Sequence, residues 1–165
     1  MQLFEEKEIG GMTLKNRILR SATLEHMGTT DGAVTPLMEK VYEELAANEV
    51  GVIVSCALYV NEAGKLAKDQ SGLENDARIG EWKNITDKVH AHGGKIVAQI
   101  HHGGARAVVT PVNVNTLTVD EILALEDDFV AAAVRAKAAG MAIKTKVIAG
   151  IVAGAVVVGG ITGVA

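Results

Sequence analysis

The sequence predicts an α/β fold built on a parallel sheet, and three observations carry that expectation. Val52-Ile53-Val54-Ser55-Cys56-Ala57 is a continuous apolar run rich in β-branched residues, the pattern of a strand buried on both faces. Lys95-Ile96-Val97-Ala98-Gln99-Ile100 reads as a further strand. Segments with helical spacing of apolar residues lie between and after them, so strand and helix alternate along the chain.

Taken in order, residues 3–17 form an opening segment with a Gly10-Gly11 turn and a polar finish at Lys15-Asn16-Arg17. Residues 18–23 are a short strand. A turn-rich loop containing Asp31-Gly32 follows. Thr35 is placed to cap a helix with Pro36 at its first position, and Leu37, Val41 and Leu45 carry that helix to about Asn48. After the strand at 52–57, a loop with Gly and Asp occupies 61–76. Ile79, Trp82, Ile85 and Val89 then mark a second helix, closed by Gly93-Gly94. The strand at 95–100 leads into a loop reaching Leu117. Thr118-Val119-Asp120-Glu121 is a capping box, in which the Thr hydroxyl accepts the third amide and Glu121 reaches back. Ile122, Leu125, Phe129, Ala132 and Ala136 continue that helix to Gly140.

The 165 residues suffice for one domain with a core, and 48% hydrophobic against 22% charged residues excludes a largely disordered chain. A net charge of −4 and 3% aromatics argue against a nucleic-acid partner, which needs clustered cations or stacking platforms. The single cysteine, Cys56, rules out an intramolecular disulfide and fits a reducing compartment. Met1 to Lys7 carries no signal-like apolar stretch, so the cytoplasm is the expected location. His101 and His102 have no third ligand at a recognisable spacing, and no metal site is expected. His26, His90 and His92 read as surface or helix-end residues.

From Val147 to Ala165 the texture changes to Val, Ile, Ala and Gly with a single Thr162 and no charge. Three readings stand: buried strands separated by glycine turns, a membrane span, or a sequence foreign to the domain. The Val-rich, Gly-rich composition suits strands better than a helix. Residues 1–140 and 141–165 are therefore separate parts of the chain.

Leu14-Lys15-Asn16-Arg17-Ile18-Leu19-Arg20-Ser21-Ala22-Thr23 resembles the first barrel strand of Old Yellow Enzyme type flavoproteins, in the branch of bacterial NADH:flavin oxidoreductases and dienoyl-CoA reductases. Asp31 to Thr35, Gly51 to Ser55, Gly93 to Gly104 and Thr118 to Gly140 resemble further family segments in the same order. The resemblance implies an incomplete (βα)8 TIM-barrel-like parallel sheet with FMN at the C-terminal mouth. It implies NAD(P)H as reductant and an activated alkene or enoyl-type small molecule as acceptor. The main chain at Ser21, Ala22, Thr23 and Leu24 would line the flavin ring. Cys56 would occupy the small-residue position at the end of the second barrel strand. Gln99 would hydrogen-bond the pyrimidine edge, for which an amide offers both donor and acceptor. Val156 to Thr162 resembles the seventh-strand segment, so Gly159 and Gly160 would help hold the FMN phosphate.

The resemblance is incomplete. A full barrel takes about 250 residues, with about 200 a practical minimum. Residues 141–146 lack the family's His-rich fourth-strand motif, and no counterpart of its sixth-strand basic residue is present. Arg106 stands one place late, behind Ala105. Two other expectations therefore accompany impaired flavin chemistry: a non-catalytic half-barrel that self-associates through open edges, and a membrane-anchored fragment.

Overall fold

The computed structural model describes residues 2–142; the expectations for 143–165, Gly159 and Gly160 among them, lie outside the described residues. Two short strands, β1 (Lys7–Ile9) and β2 (Met12–Leu14), pair antiparallel. Gly10 and Gly11 turn the chain between them, both at positive φ (58° and 84°), as the tightest hairpin loops require. Lys15 follows and donates through Nζ to the carbonyls of Ala46 (2.9 Å) and His92 (3.0 Å). One ammonium thus serves two chain segments just as they leave their helices, where carbonyls lack partners.

A second sheet is wholly parallel, in the order β3 (Leu19–Arg20), β4 (Val52–Tyr59), β5 (Lys95–His101). Each strand is followed by a helix: α1 (Pro36–Ala47), α2 (Ala77–Ala91) and α3 (Val119–Ala138). Three successive βα units are therefore formed. The chain returns to the free edge of β5 at Ala142, whose N–H donates to Ile96 O at 2.8 Å.

The caps sit where the sequence places them. Thr35 Oγ1 accepts the Met38 N–H at 3.3 Å, and Thr118 and Glu121 make both bonds of the capping box. Strand bounds differ from expectation most in β3 and β4, while β5 gains only His101. β3 has two residues rather than six, because among the described residues it pairs with β4 alone and the chain leaves the ladder after Arg20. β4 runs on to Tyr59, two residues beyond the expected end, because Leu58 and Tyr59 find partners in Ile100 and His101.

The core lies between the sheet and the helices. Ile53, Cys56, Leu58 and Ile96 meet Met38, Tyr42, Trp82, Ile85, Val89, Ala132 and Ala136 there, with the Tyr42 and Trp82 rings edge-on at 5.9 Å. The opposite sheet face is open: Gln99 and Leu19 are exposed, and Val54 and Val97 are half-buried. Among the described residues no helix is long and apolar enough to cross a membrane.

Candidate functional site

The three strands run parallel, so their C-terminal ends share one side of the sheet, and the sequence-predicted residues from 21 to 99 gather there. Ser21, Ala22, Thr23 and Leu24 follow β3 in irregular backbone, with Ser21 and Thr23 exposed and Ala22 and Leu24 half-buried. Gln99 lies on the open face near the end of β5. Its side-chain amide makes no hydrogen bond among the described residues, while its N–H donates to Ser55 Oγ at 2.9 Å.

Cys56 lies on the other face. It is 1% exposed, packed in the helix-side core, and burial pushes its thiol far above the ordinary cysteine range. The residue opposite Gln99 in the ladder is Ala57. The cause is a β-bulge: from Val54 to Ala57 strand β4 advances three residues while β5 advances two, from Val97 to Gln99. One inserted residue inverts the facing of everything after it. The small residue beside Gln99 is thus Ala57, one place on from the residue the sequence pointed to. Ser55, polar in the middle of an apolar run, is the sequence signal that marks the irregularity.

Loops from the strand ends clasp one another above this face. The loop after β3 bonds to the loop after β4 through Gly28 N–H to Asp69 O (2.9 Å), Gly72 N–H to Gly32 O (3.1 Å) and Lys65 Nζ to Thr30 O (2.6 Å). The loop after β4 bonds to the loop after β5 through Gly103 N–H to Gly64 O (2.8 Å) and Val108 N–H to Lys65 O (2.7 Å). Lys65 is buried, with its ammonium 4.9 Å from the Tyr59 ring centre and 3.3 Å from Glu62. Gly32 has to be glycine: its φ is +86°, and a Cβ there would collide with the Tyr59 hydroxyl, which donates to Asp31 O at 3.1 Å. Sequence reading missed Lys65 and Tyr59, because nothing local distinguishes a buried clasp lysine from a solvated one.

His101 and His102 close the end of β5. His101 stands two residues after Gln99, on the same face. Burial holds both imidazoles below their ordinary range, and for His102 the neighbouring His101 adds to the effect. The sign of the pH dependence follows. A folded-state pKa below the unfolded one gives stability that is complete above pH ~6.5 and is lost as the pH falls through the folded values. Buried Glu25 acts oppositely: desolvation raises its pKa against the pull of Arg20, so its contribution is complete below its unfolded value and is lost as pH rises. Thermal midpoints measured from pH 7.5 to 5 should therefore fall less steeply in His101→Gln than in the wild type. Equal slopes would mean that the burial of His101 has no energetic weight.

The arrangement suits a flat heteroaromatic ligand. A methyl group at Ala57 leaves room beside Gln99, the unpartnered amide offers a donor and an acceptor, and the main chain of 21–24 is not engaged in a sheet ladder. These groups fit one side of a flavin.

Comparison with known proteins bears on the same region. Residues 2–144 match the NADH:flavin oxidoreductase / NADH oxidase family. The NADPH dehydrogenase of Listeria welshimeri is 31% identical over 157 residues, covering 84% of this chain and 46% of that enzyme. The structure of the old yellow enzyme homologue of Zymomonas mobilis superposes with a TM-score of 0.75 at 27% identity, covering 86% of this chain and 47% of the other. A morphinone reductase mutant solved in complex with tetrahydroNAD gives 0.76 at 25% identity, covering 87% and 48%. The chain spans about half the length of the curated NADPH dehydrogenases it matches. The match over 2–144 makes the chain a member of the NADH:flavin oxidoreductase / NADH oxidase family, and its parallel βα units agree with a partial barrel.

Proposed function

We propose that this chain supplies one side of the FMN site of an NAD(P)H-dependent oxidoreductase, with residues 1–140 as the N-terminal portion of the barrel and 141–165 as a separate tail. The observation that carries the reading is the Gln99 amide, without a partner among the described residues, beside Ala57 on the open face of the sheet. In this reading Gln99 meets the pyrimidine edge of the flavin, Ala57 leaves space for the ring, and the main chain of Ser21 to Leu24 runs along it. The Cys56 contribution is confined to its main chain. Gly159 and Gly160 remain the proposed phosphate contacts. Bound FMN would supply hydride transfer from NAD(P)H to a small unsaturated acceptor, an activated alkene or enoyl compound. The protein's own part is to orient the ring and keep one face of it away from water. The cytoplasm is the proposed compartment, in keeping with one buried thiol.

The test is the visible spectrum after incubation with excess FMN and desalting. Flavin absorbance should be retained, and Gln99→Ala should weaken FMN binding about ten- to a hundredfold, the range for lost amide hydrogen bonds. A folded protein that stays colourless would overturn the reading.

One observation favours a second reading, self-association without cofactor. Leu19 at the sheet edge and Val119, Ile122 and Leu123 on α3 are exposed, and β3 pairs on one side only among the described residues. A mass that rises with concentration in sedimentation, unaffected by FMN, would support it; a constant monomer mass would end it.

A further inference from the structure

The bulge in β4 decides which side chain meets Gln99, and a bulge inside a packed sheet has to be stabilised by something. Its extra residue leaves ladder groups without strand partners, and a buried N–H left unpaired is costly. Here three main-chain groups at the bulge are taken up by side-chain hydroxyls. Cys56 N–H donates to Tyr42 Oη at 2.8 Å, across from helix α1. Ser55 Oγ accepts the Gln99 N–H at 2.9 Å and donates to Cys56 O at 2.8 Å.

The Tyr42 hydroxyl is itself held. It donates to Glu25 Oε2 at 3.3 Å, and the other oxygen of that carboxylate lies 2.7 Å from Arg20 Nη2 at the end of β3. The Tyr42 ring is fully buried against Trp82, and the Arg20 guanidinium lies 5.9 Å from its centre. A hydroxyl fixed by a half-buried ion pair on one side is thus left to serve as acceptor on the other, as an N–H requires.

We propose that Tyr42 is a positioning residue for the cofactor site: from the helix layer, its hydroxyl holds the β4 bulge that turns Ala57 to the open face beside Gln99 and Cys56 to the core. This rests on the flavin-site reading above. Without the bulge, Cys56 and Leu58 would take the places of Ala57 and Tyr59 on the mouth side, and a thiol larger than a methyl group would fill the space beside Gln99.

The experiment uses the full chain and Tyr42→Phe, which keeps the ring and removes only the acceptor. Residue-resolved amide exchange should show the Cys56 N–H exchanging about tenfold faster or more, with Val89 and Ile96 changing far less. The Cys56 thiol should react with a disulfide reagent faster by a similar factor, and FMN retention should weaken in parallel. Ser55→Ala gives an independent route: the Gln99 N–H should lose protection and the thiol should gain reactivity. A uniform acceleration of all amides in both variants, or an unchanged Cys56 amide in Tyr42→Phe, would overturn the proposal. If the wild-type chain retains no FMN, the flavin-site reading fails by itself, and the amide and thiol measurements still decide whether Tyr42 holds the bulge.

Discussion

Trp82→Ala should lower the unfolding free energy by about 3–5 kcal/mol, a large share of the roughly 5–15 kcal/mol typical of a domain. Trp82 is fully buried on α2, and its ring stands edge-on to Tyr42 among Ile85, Val89 and Leu73. Truncation removes apolar burial and leaves a cavity that two flanking helices and a sheet have little freedom to close. It also removes a hydrogen bond, since Trp82 Nε1 donates to Gly72 O at 3.3 Å in the loop after β4. That carbonyl belongs to the segment that pairs with Gly32, so the loss should reach the mouth as well as the core. Trp82 is the one tryptophan, so unfolding by denaturant has to be followed by far-ultraviolet circular dichroism in both proteins. A difference below about 1 kcal/mol would show that the Tyr42–Trp82 layer is not the centre of the core.

Arg78→Met should cost about 3 kcal/mol, at the lower end of what breaking a buried ion pair costs, because part of the network reaches water. The Arg78 guanidinium donates to Glu74 Oε1 at 2.9 Å, to Glu81 Oε1 at 3.0 Å and to the carbonyl of Asp31. Arg78 is 6% exposed, and the Glu74 side chain is 14% exposed with one oxygen lacking a partner among the described residues. Removing the cation leaves the Asn75 amide, which donates to Glu74 Oε1 at 2.6 Å, as the remaining partner of that sheltered carboxylate among the described residues. It also leaves the Asp31 carbonyl with the Tyr59 hydroxyl in place of two donors and so loosens the loop after β3. Adding Glu74→Gln to Arg78→Met should recover a measurable part of the loss, because the two residues share one interaction. Strict additivity of the two substitutions in denaturant unfolding would rule out the coupling.

Much of the architecture was legible because it rests on short-range chemistry. Thr35-Pro36 and Thr118-x-x-Glu121 specify helix starts through groups three residues away, and the structure has both caps. The β-branched runs at 52–57 and 95–100 mark strands covered on at least one face, and they pair in parallel. The motifs from Leu14 onward led to the right family. Strand lengths were less legible: β3 stops after Arg20 and β4 continues to Tyr59 because of the partners each finds, which no local window contains.

The sequence by itself determined the order of strands and helices, their caps, the parallel α/β class, and the position of Gln99 at the end of a strand. Only the tertiary structure decided that Ala57, and not Cys56, stands beside that amide. The physical reason is distance along the chain. The facing of a strand past a bulge depends on whether the released N–H and C=O find partners, and here those partners come from Ser55, from Tyr42 in α1, and from the Arg20–Glu25 pair behind it. A run of apolar residues reads the same with or without the bulge until the helix that stabilises it is packed in place.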